Sequence, residues 1–190
     1  MRFLSEVRRK AFHLFSIVVP VGYYLLPEPL ARPILLGLTV VAMTLDMLRL
    51  NEPRIRTFFY YFFGKMVRDH ERNNLLGSTY VLLAALLCAY AFERPIAITA
   101  MAFLTVGDAA AAVVGRRFGR TKVFGKSLEG SFACFAACLG VAILYPGDPL
   151  TWRQMIGGAL AATTFELVPM PFDDNMRISL SAGFAMTLLA

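Results

Sequence analysis

Gly107-Asp-Ala-Ala-Ala-Ala-Val-Val-Gly-Arg-Arg-Phe-Gly-Arg-Thr-Lys-Val-Phe-Gly-Lys-Ser-Leu-Glu-Gly-Ser131 starts inside an apolar run and carries one acid there. It then releases into a loop with five cations, Arg116, Arg117, Arg120, Lys122 and Lys126, interleaved with glycines. A second apolar run follows. Reading outward, apolar segments of spanning length alternate with short polar connections along nearly the whole chain, and that alternation decides the fold class.

The 190 residues are 57% hydrophobic and only 17% charged, with a mean hydropathy of +0.59. A water-solvated domain of this size lacks the interior volume for so much apolar side chain, so the reading is one all-α integral membrane domain over residues 1–190, solvated by lipid. Cys88, Cys134 and Cys138 lie in apolar runs without a Cys-x-x-Cys pair, which reads as inert packing. The net charge of +6 sits between apolar segments. There it reports topology and attraction to anionic membrane lipids, and nucleic acid is not expected as a partner. No small-residue cleavage site follows the charged start, so a cleavable signal is not expected.

A spanning helix needs about 20 mostly apolar residues. Seven segments qualify: Leu4–Leu26, Leu30–Leu50, Leu75–Phe92, Ile96–Phe118, Leu128–Tyr145, Trp152–Val168 and Asn175–Ala190, the last being short. With a cytoplasmic N-terminus, 16 of the 19 Lys and Arg residues fall inside, leaving Arg32, Arg94 and Arg153 outside. This bias predicts N-in, in a plasma or inner membrane. Glu6, Asp46, Asp108, Glu129, Glu166, Asp173 and Asp174 then gather at the cytoplasmic ends of the spans. Between the second and third spans, Phe58 to Phe63 are six consecutive aromatics flanked by charge. They predict an interfacial helix at head-group level, or a gate through which a lipid reaches the site. Small-residue patches such as Ala109–Ala112 and Gly157–Ala162 predict close helix packing in lipid and permit a homodimer.

An ionised group within a span is expensive and usually functional. Asp108, with Gly107 and four alanines leaving room beside it, reads as a metal ligand and catalytic residue in preference to a structural partner for an arginine such as Arg49. The following loop is not a Walker A motif: Gly125-Lys126-Ser127 has Arg120 where the motif needs Gly, and the preceding element is a helix, not a strand. Its local physics still suits a polyphosphate. Gly119, Gly125 and Gly130 are read as freeing backbone N–H groups for an anion. Lys122 and Lys126 supply point charge, Arg116 and Arg120 fork onto phosphate oxygens, and Ser127 opens the next helix as its N-cap. Glu129 falls one residue short of a capping box. The nucleotide-binding set is therefore Arg9, Lys10, Gly115, Arg116, Arg120, Lys122, Gly125, Lys126, Ser127 and Glu129. Arg9 and Lys10 share a helix face with Glu6 and His13, and His13 is a candidate proton carrier. Asp46 and Arg49, at i, i+3, read as a local salt bridge. In Glu166-Leu-Val-Pro-Met-Pro-Phe-Asp-Asp-Asn175 the prolines break a helix at the membrane boundary. Asp173 and Asp174 there offer hard oxygen ligands to Mg²⁺, although Asp173 also fits a helix N-cap. Glu166, Asp174 and His13 stand as alternative proton acceptors, with Lys126 as a catalytic cation.

These residues resemble one family. Arg9-Lys10 with His13, Asp46-Met-Leu-Arg49, Met66-Val-Arg-Asp, Asn74 to Tyr80, the Gly107–Ser131 stretch and Glu166…Asp173-Asp-Asn175 are together similar to the membrane lipid kinases related to dolichol kinase, phytol kinase and the yeast-type CTP-dependent diacylglycerol kinase. The resemblance implies CTP as donor and a lipid alcohol as acceptor. The related phosphatidate cytidylyltransferases end in a His-Gly-Gly segment and an Asp-Arg…Asp pattern, where this chain has Pro171-Phe-Asp-Asp-Asn175. The departure favours phosphoryl over cytidylyl transfer, and transfer making a CDP-lipid remains the alternative. A non-enzymatic lipid-binding or transport protein is the third reading, disfavoured because the acids cluster at one face.

Overall fold

The computed structural model describes residues 14–64, 67 and 70–190. Among them the architecture is all-helical apart from one small hairpin. The order is α1 (Val18–Leu25), α2 (Glu28–Asn51), α3 (Pro53–Phe63), a 3₁₀ turn (His70–Arg72), α4 (Gly77–Ala91), α5 (Arg94–Arg117), β1 (Lys122–Val123), β2 (Lys126–Ser127), α6 (Leu128–Leu144), α7 (Trp152–Leu167) and α8 (Asp174–Leu188). Six of the seven expected segments appear with ends within two residues of those read from the sequence. The described part of the first begins at Leu14, and Glu6, Arg9, Lys10 and His13 lie outside the described residues.

Two of these helices, α2 and α5, are long and apolar enough to cross a membrane. At 24 residues each, they measure about 36 Å, against about 30 Å of hydrocarbon. The others run 15 to 17 residues beyond α3, about 22–26 Å, so each falls a little short of a full crossing by length alone.

The sidedness of α2 fits an apolar surrounding. Leu30, Ile34, Leu38, Val41 and Leu45 recur at helical spacing and are exposed, while Thr39, Asp46 and Arg49 on the other side are buried. A water-solvated helix has the reverse pattern. Small residues let α5 reach the centre of the bundle, where its turns from Ile96 to Thr105 are buried. It packs against α6 and α8, and α7 packs against α8. The small-residue patches are used inside the chain: Ala111, Ala159 and Ala162 are buried, and Gly158 faces Met186 and Phe103.

The chain ends of the helices alternate between two poles. At one pole Arg94 donates to the carbonyls of Tyr23, Tyr24 and Leu26 at 3.1, 3.0 and 2.7 Å, and Arg32 donates to that of Ala89 at 3.1 Å. The opposite pole holds Asp46, Asp108, Glu166 and Asp174.

At that second pole the Asp46–Arg49 pair is the centre of a buried network larger than a local salt bridge. Arg49 Nε donates to Asp46 Oδ1 at 2.9 Å, with both side chains 2% exposed. The guanidinium also reaches the carbonyls of Glu71 and Asn74 at 3.1 and 2.7 Å and the Tyr60 hydroxyl at 3.3 Å. Asp46 Oδ2 accepts from Leu76 N at 2.8 Å and from the Thr79 hydroxyl at 2.6 Å. With its donors and acceptors placed this way, the buried ion pair is satisfied, and it pins α3 and the start of α4 to the end of α2. The expected aromatic helix is α3. It has no buried residue, and Phe58, Tyr61, Phe62 and Phe63 are exposed. Its attachment is through Tyr60 and through Phe59, whose ring lies 5.5 Å from the Arg49 guanidinium carbon.

Candidate active site

At the same pole lies a cleft of about 250 Å³, built by five elements. Asp108, Ala111, Ala112, Gly115 and Arg116 line it from one face of α5, at the i, i+3/i+4, i+7 spacing of a single stripe. The alanines and Gly115 keep that wall low. The hairpin adds Lys122, Gly125, Lys126 and Ser127, the first turn of α6 adds Gly130, the end of α7 adds Glu166, and the start of α8 adds Asp174.

The basic loop is thus partly ordered as a hairpin, which the sequence reading missed. Lys122 pairs with Ser127 and Val123 with Lys126. The two turn residues, Phe124 and Gly125, both have positive φ, 51° and 83°, the requirement of a two-residue hairpin turn that matches strand twist. A residue-Gly pair between short β-compatible runs was the available signal, weak because Phe is a poor occupant of the left-handed region.

The glycines divide into two roles. Gly125 supplies backbone freedom. Gly130 and Gly115 permit close approach: a Cβ on Gly130 would lie 2.8 Å from the Ala111 carbonyl oxygen and 3.1 Å from Gly115 Cα. The Gly130 N–H already donates to Ser127 Oγ at 3.1 Å, so it is not offered to an anion as the sequence reading had it. Gly119 likewise abuts Ser127. Ser127 is the N-cap of α6, as expected. Glu129 accepts from Thr121 N at 3.1 Å, tying the start of the hairpin to α6.

Charge in the cleft is balanced and held in place. Lys126 Nζ donates to Glu166 Oε1 at 2.8 Å and lies 3.7 Å from Asp174 Oδ2. It also donates to the backbone carbonyl of Glu166. Glu166 is buried and Lys126 half-buried. Arg177, buried, donates to Asp174 and to the carbonyl of Val168, the latter at 2.6 Å. Pro169 and Pro171 stop α7 and leave its last carbonyls without intrahelical partners, and two cations take them, at the negative end of the helix dipole. In the sequence reading Arg177 is only one of the 16 cations counted on the inner side, because its partners Val168 and Asp174 come together only once the chain turns between α7 and α8.

The structure therefore brings together Asp108, Gly115, Arg116, Lys122, Gly125, Lys126, Ser127, Glu166 and Asp174. Three candidates lie outside the cleft lining. Asp173 is the N-cap of α8, its Oδ1 accepting from Asn175 N at 2.9 Å, the alternative already open to it. Arg120 is exposed between α5 and the hairpin, and Glu129 is engaged as above. Arg9, Lys10 and His13 lie outside the described residues.

Comparison with known proteins places the chain. An uncharacterised protein of Rickettsia prowazekii is 31% identical over 191 residues, covering 96% of this chain and 94% of its own. A CTP-dependent diacylglycerol kinase of Eremothecium gossypii is 28% identical over 219 residues, 97% of this chain and 68% of the relative. The chain belongs to the family of the CTP-dependent diacylglycerol kinases and the phytol and farnesol kinases. A chloroplastic farnesol kinase of Arabidopsis thaliana, 33% identical over 142 residues, matches 65% of this chain and 46% of its own length. No family model and no solved structure matches the chain. Relatives of this family are named as kinases.

Proposed function

We propose that this protein is an integral-membrane kinase that transfers the γ-phosphoryl group of CTP to a lipid alcohol, of the diacylglycerol or polyprenol type. The reaction takes place at the cytoplasmic end of about seven spans, with the N-terminus inside. The observation that carries the reading is the cleft itself, in which Arg116, Lys122 and Lys126 converge with Asp108, Glu166 and Asp174 at one pole of an apolar bundle. The cytoplasmic assignment of that pole rests on the Lys and Arg bias. Arg32 and Arg94, two of the three cations assigned outside, stand at the opposite pole.

Phosphoryl transfer asks a protein mainly for positioning and charge neutralisation. Lys122, Lys126 and Arg116 hold the triphosphate oxygens, with Arg120 on the approach to the hairpin and Arg9 and Lys10 as further phosphate ligands. Glu129 keeps the hairpin seated.

The residues fit Mg²⁺. Asp108 and Asp174 offer hard carboxylate oxygens from two walls of the cleft, with Asp173 beside the second. A site with two carboxylates leaves positions in the shell of a Mg²⁺ ion for phosphate oxygens. Bound there, Mg²⁺ would neutralise charge building on the β–γ bridge.

The acceptor hydroxyl oxygen forms its bond to the γ-phosphorus as the bridging oxygen leaves with CDP. Its proton passes to a base, for which Glu166, Asp174 and His13 stand as the alternatives. The lipid enters laterally beside α3, its hydroxyl at head-group depth.

A lipid-alcohol panel incubated with labelled CTP tests the proposal. Label from the γ-phosphate is expected in the product and label from the α-phosphate is not. Product carrying only α-label would replace the kinase with a cytidylyltransferase.

A further inference from the structure

The ammonium of Lys126 sits among hard oxygen donors. Three oxygens surround it: Glu166 Oε1 at 2.8 Å, Asp174 Oδ2 at 3.7 Å and the backbone carbonyl oxygen of Glu166. A carbonyl and two carboxylates are the hard donors of a Mg²⁺ site, and here a tethered cation fills them. Asp174 is further neutralised by Arg177. Glu166 is 5% exposed and, without Lys126, would be a nearly buried carboxylate with a strong demand for a cation. Lys126 itself is one-third exposed at the side chain and carried by a two-residue strand, so its long stem is free to reach elsewhere in the same cleft.

We infer that Lys126 is a resident stand-in for the metal: with its ammonium on Glu166 and Asp174 it blocks a divalent cation in the nucleotide-free protein, and it yields those oxygens when a triphosphate draws it away. This rests on the proposed function. Its consequence is an order of binding. The metal enters with or after the nucleotide and is not held before the donor has bound.

The test is Mn²⁺ binding to the full chain in lipid nanodiscs, read from the loss of the free-ion EPR signal, with and without a non-transferring CTP analogue. Wild type is expected to bind Mn²⁺ weakly alone and tightly with the analogue. Lys126→Met is expected to bind Mn²⁺ alone at least about tenfold more tightly than wild type while binding the analogue more weakly, two effects of opposite sign from one change. Lys126→Arg keeps the cation and is expected to stay weak for Mn²⁺ alone, and adding Glu166→Gln to Lys126→Met is expected to remove the gain. A Lys126→Met protein that folds, judged by a single symmetric gel-filtration peak, but binds Mn²⁺ no better than wild type would overturn the inference and leave the kinase reading standing. Wild type that binds no CTP analogue under any metal condition would overturn the kinase reading itself.

Discussion

Gly130→Ala is the most informative single change, because it moves one wall of the cleft without touching a charge. The new Cβ would lie 2.8 Å from the Ala111 carbonyl oxygen, 3.0 Å from Ser127 Oγ and 3.1 Å from Gly115 Cα. Ordinary contact begins at 3.4 Å, so the shortest contact is about 0.6 Å too close, and two of the three opposing atoms are backbone of α5, which no rotamer change can move. The helices must separate by roughly that amount at the level of Gly115 and Ala111. Overpacking of this kind costs about 1–3 kcal/mol, and a displacement approaching 1 Å between Asp108 on α5 and the hairpin ahead of α6 is expected to lower kcat/KM for CTP by about 10- to 100-fold. Gly140→Ala is the control on the same helix: nothing lies within 4 Å of its Cβ, and stability should stay within about 0.5 kcal/mol of wild type. Thermal unfolding in detergent and CTP kinetics, run side by side on both variants, are the assay. Gly130→Ala as stable and as active as Gly140→Ala would show that the α5–α6 crossing does not set the cleft.

Asp108→Asn keeps the shape of the side chain and removes its charge. It should leave thermal stability within about 1 kcal/mol while lowering kcat by at least about 100-fold, the scale for loss of one transition-state electrostatic contact, measured as γ-label transferred to lipid. Lys122→Ala removes one charge-assisted phosphate contact, worth about 1.5–3 kcal/mol; KM for CTP should rise by at least about tenfold with little change in KM for the lipid. Arg49→Met strands Asp46 in a buried site and should destabilise the fold by about 3–5 kcal/mol, read as lost yield and a lowered Tm, whereas pairing it with Asp46→Leu should recover part of the loss. Chelating divalent cations should abolish transfer, and the rate should return on adding Mg²⁺.

The helical frame was legible because apolar runs of spanning length separated by prolines leave few other readings. The ends of α2, α4, α5, α6, α7 and α8 follow the sequence segments closely. The one-sided placement of acids was legible for the same reason, since fixing alternate helix directions fixes which ends meet. Three features were not. The hairpin was hidden because Phe124-Gly125 is a weak turn signal beside the stronger impression of a flexible cationic loop. The choice between Asp173 and Asp174 turns on about 100° of helix rotation at the start of α8, which adjacent identical residues cannot encode; the backbone gives one to the cap and the other to the cleft. The Lys126–Glu166 pair, 40 residues apart in sequence, arises from the tertiary docking of the hairpin on the end of α7 and has no local signature.

The i, i+3 placement of Asp46 and Arg49 bears on how the chain is made. Their outside partners, from Tyr60 to Thr79, lie 11 to 33 residues further on and follow α2 out of the ribosome. The two charges are already within reach of each other on one turn of that helix, so α2 can enter the bilayer as a self-neutralised unit. Leu76, Thr79 and the carbonyls of Glu71 and Asn74 then dock onto the pair as they emerge. The pair that anchors the finished fold is thereby one whose charges can offset each other before any other partner arrives.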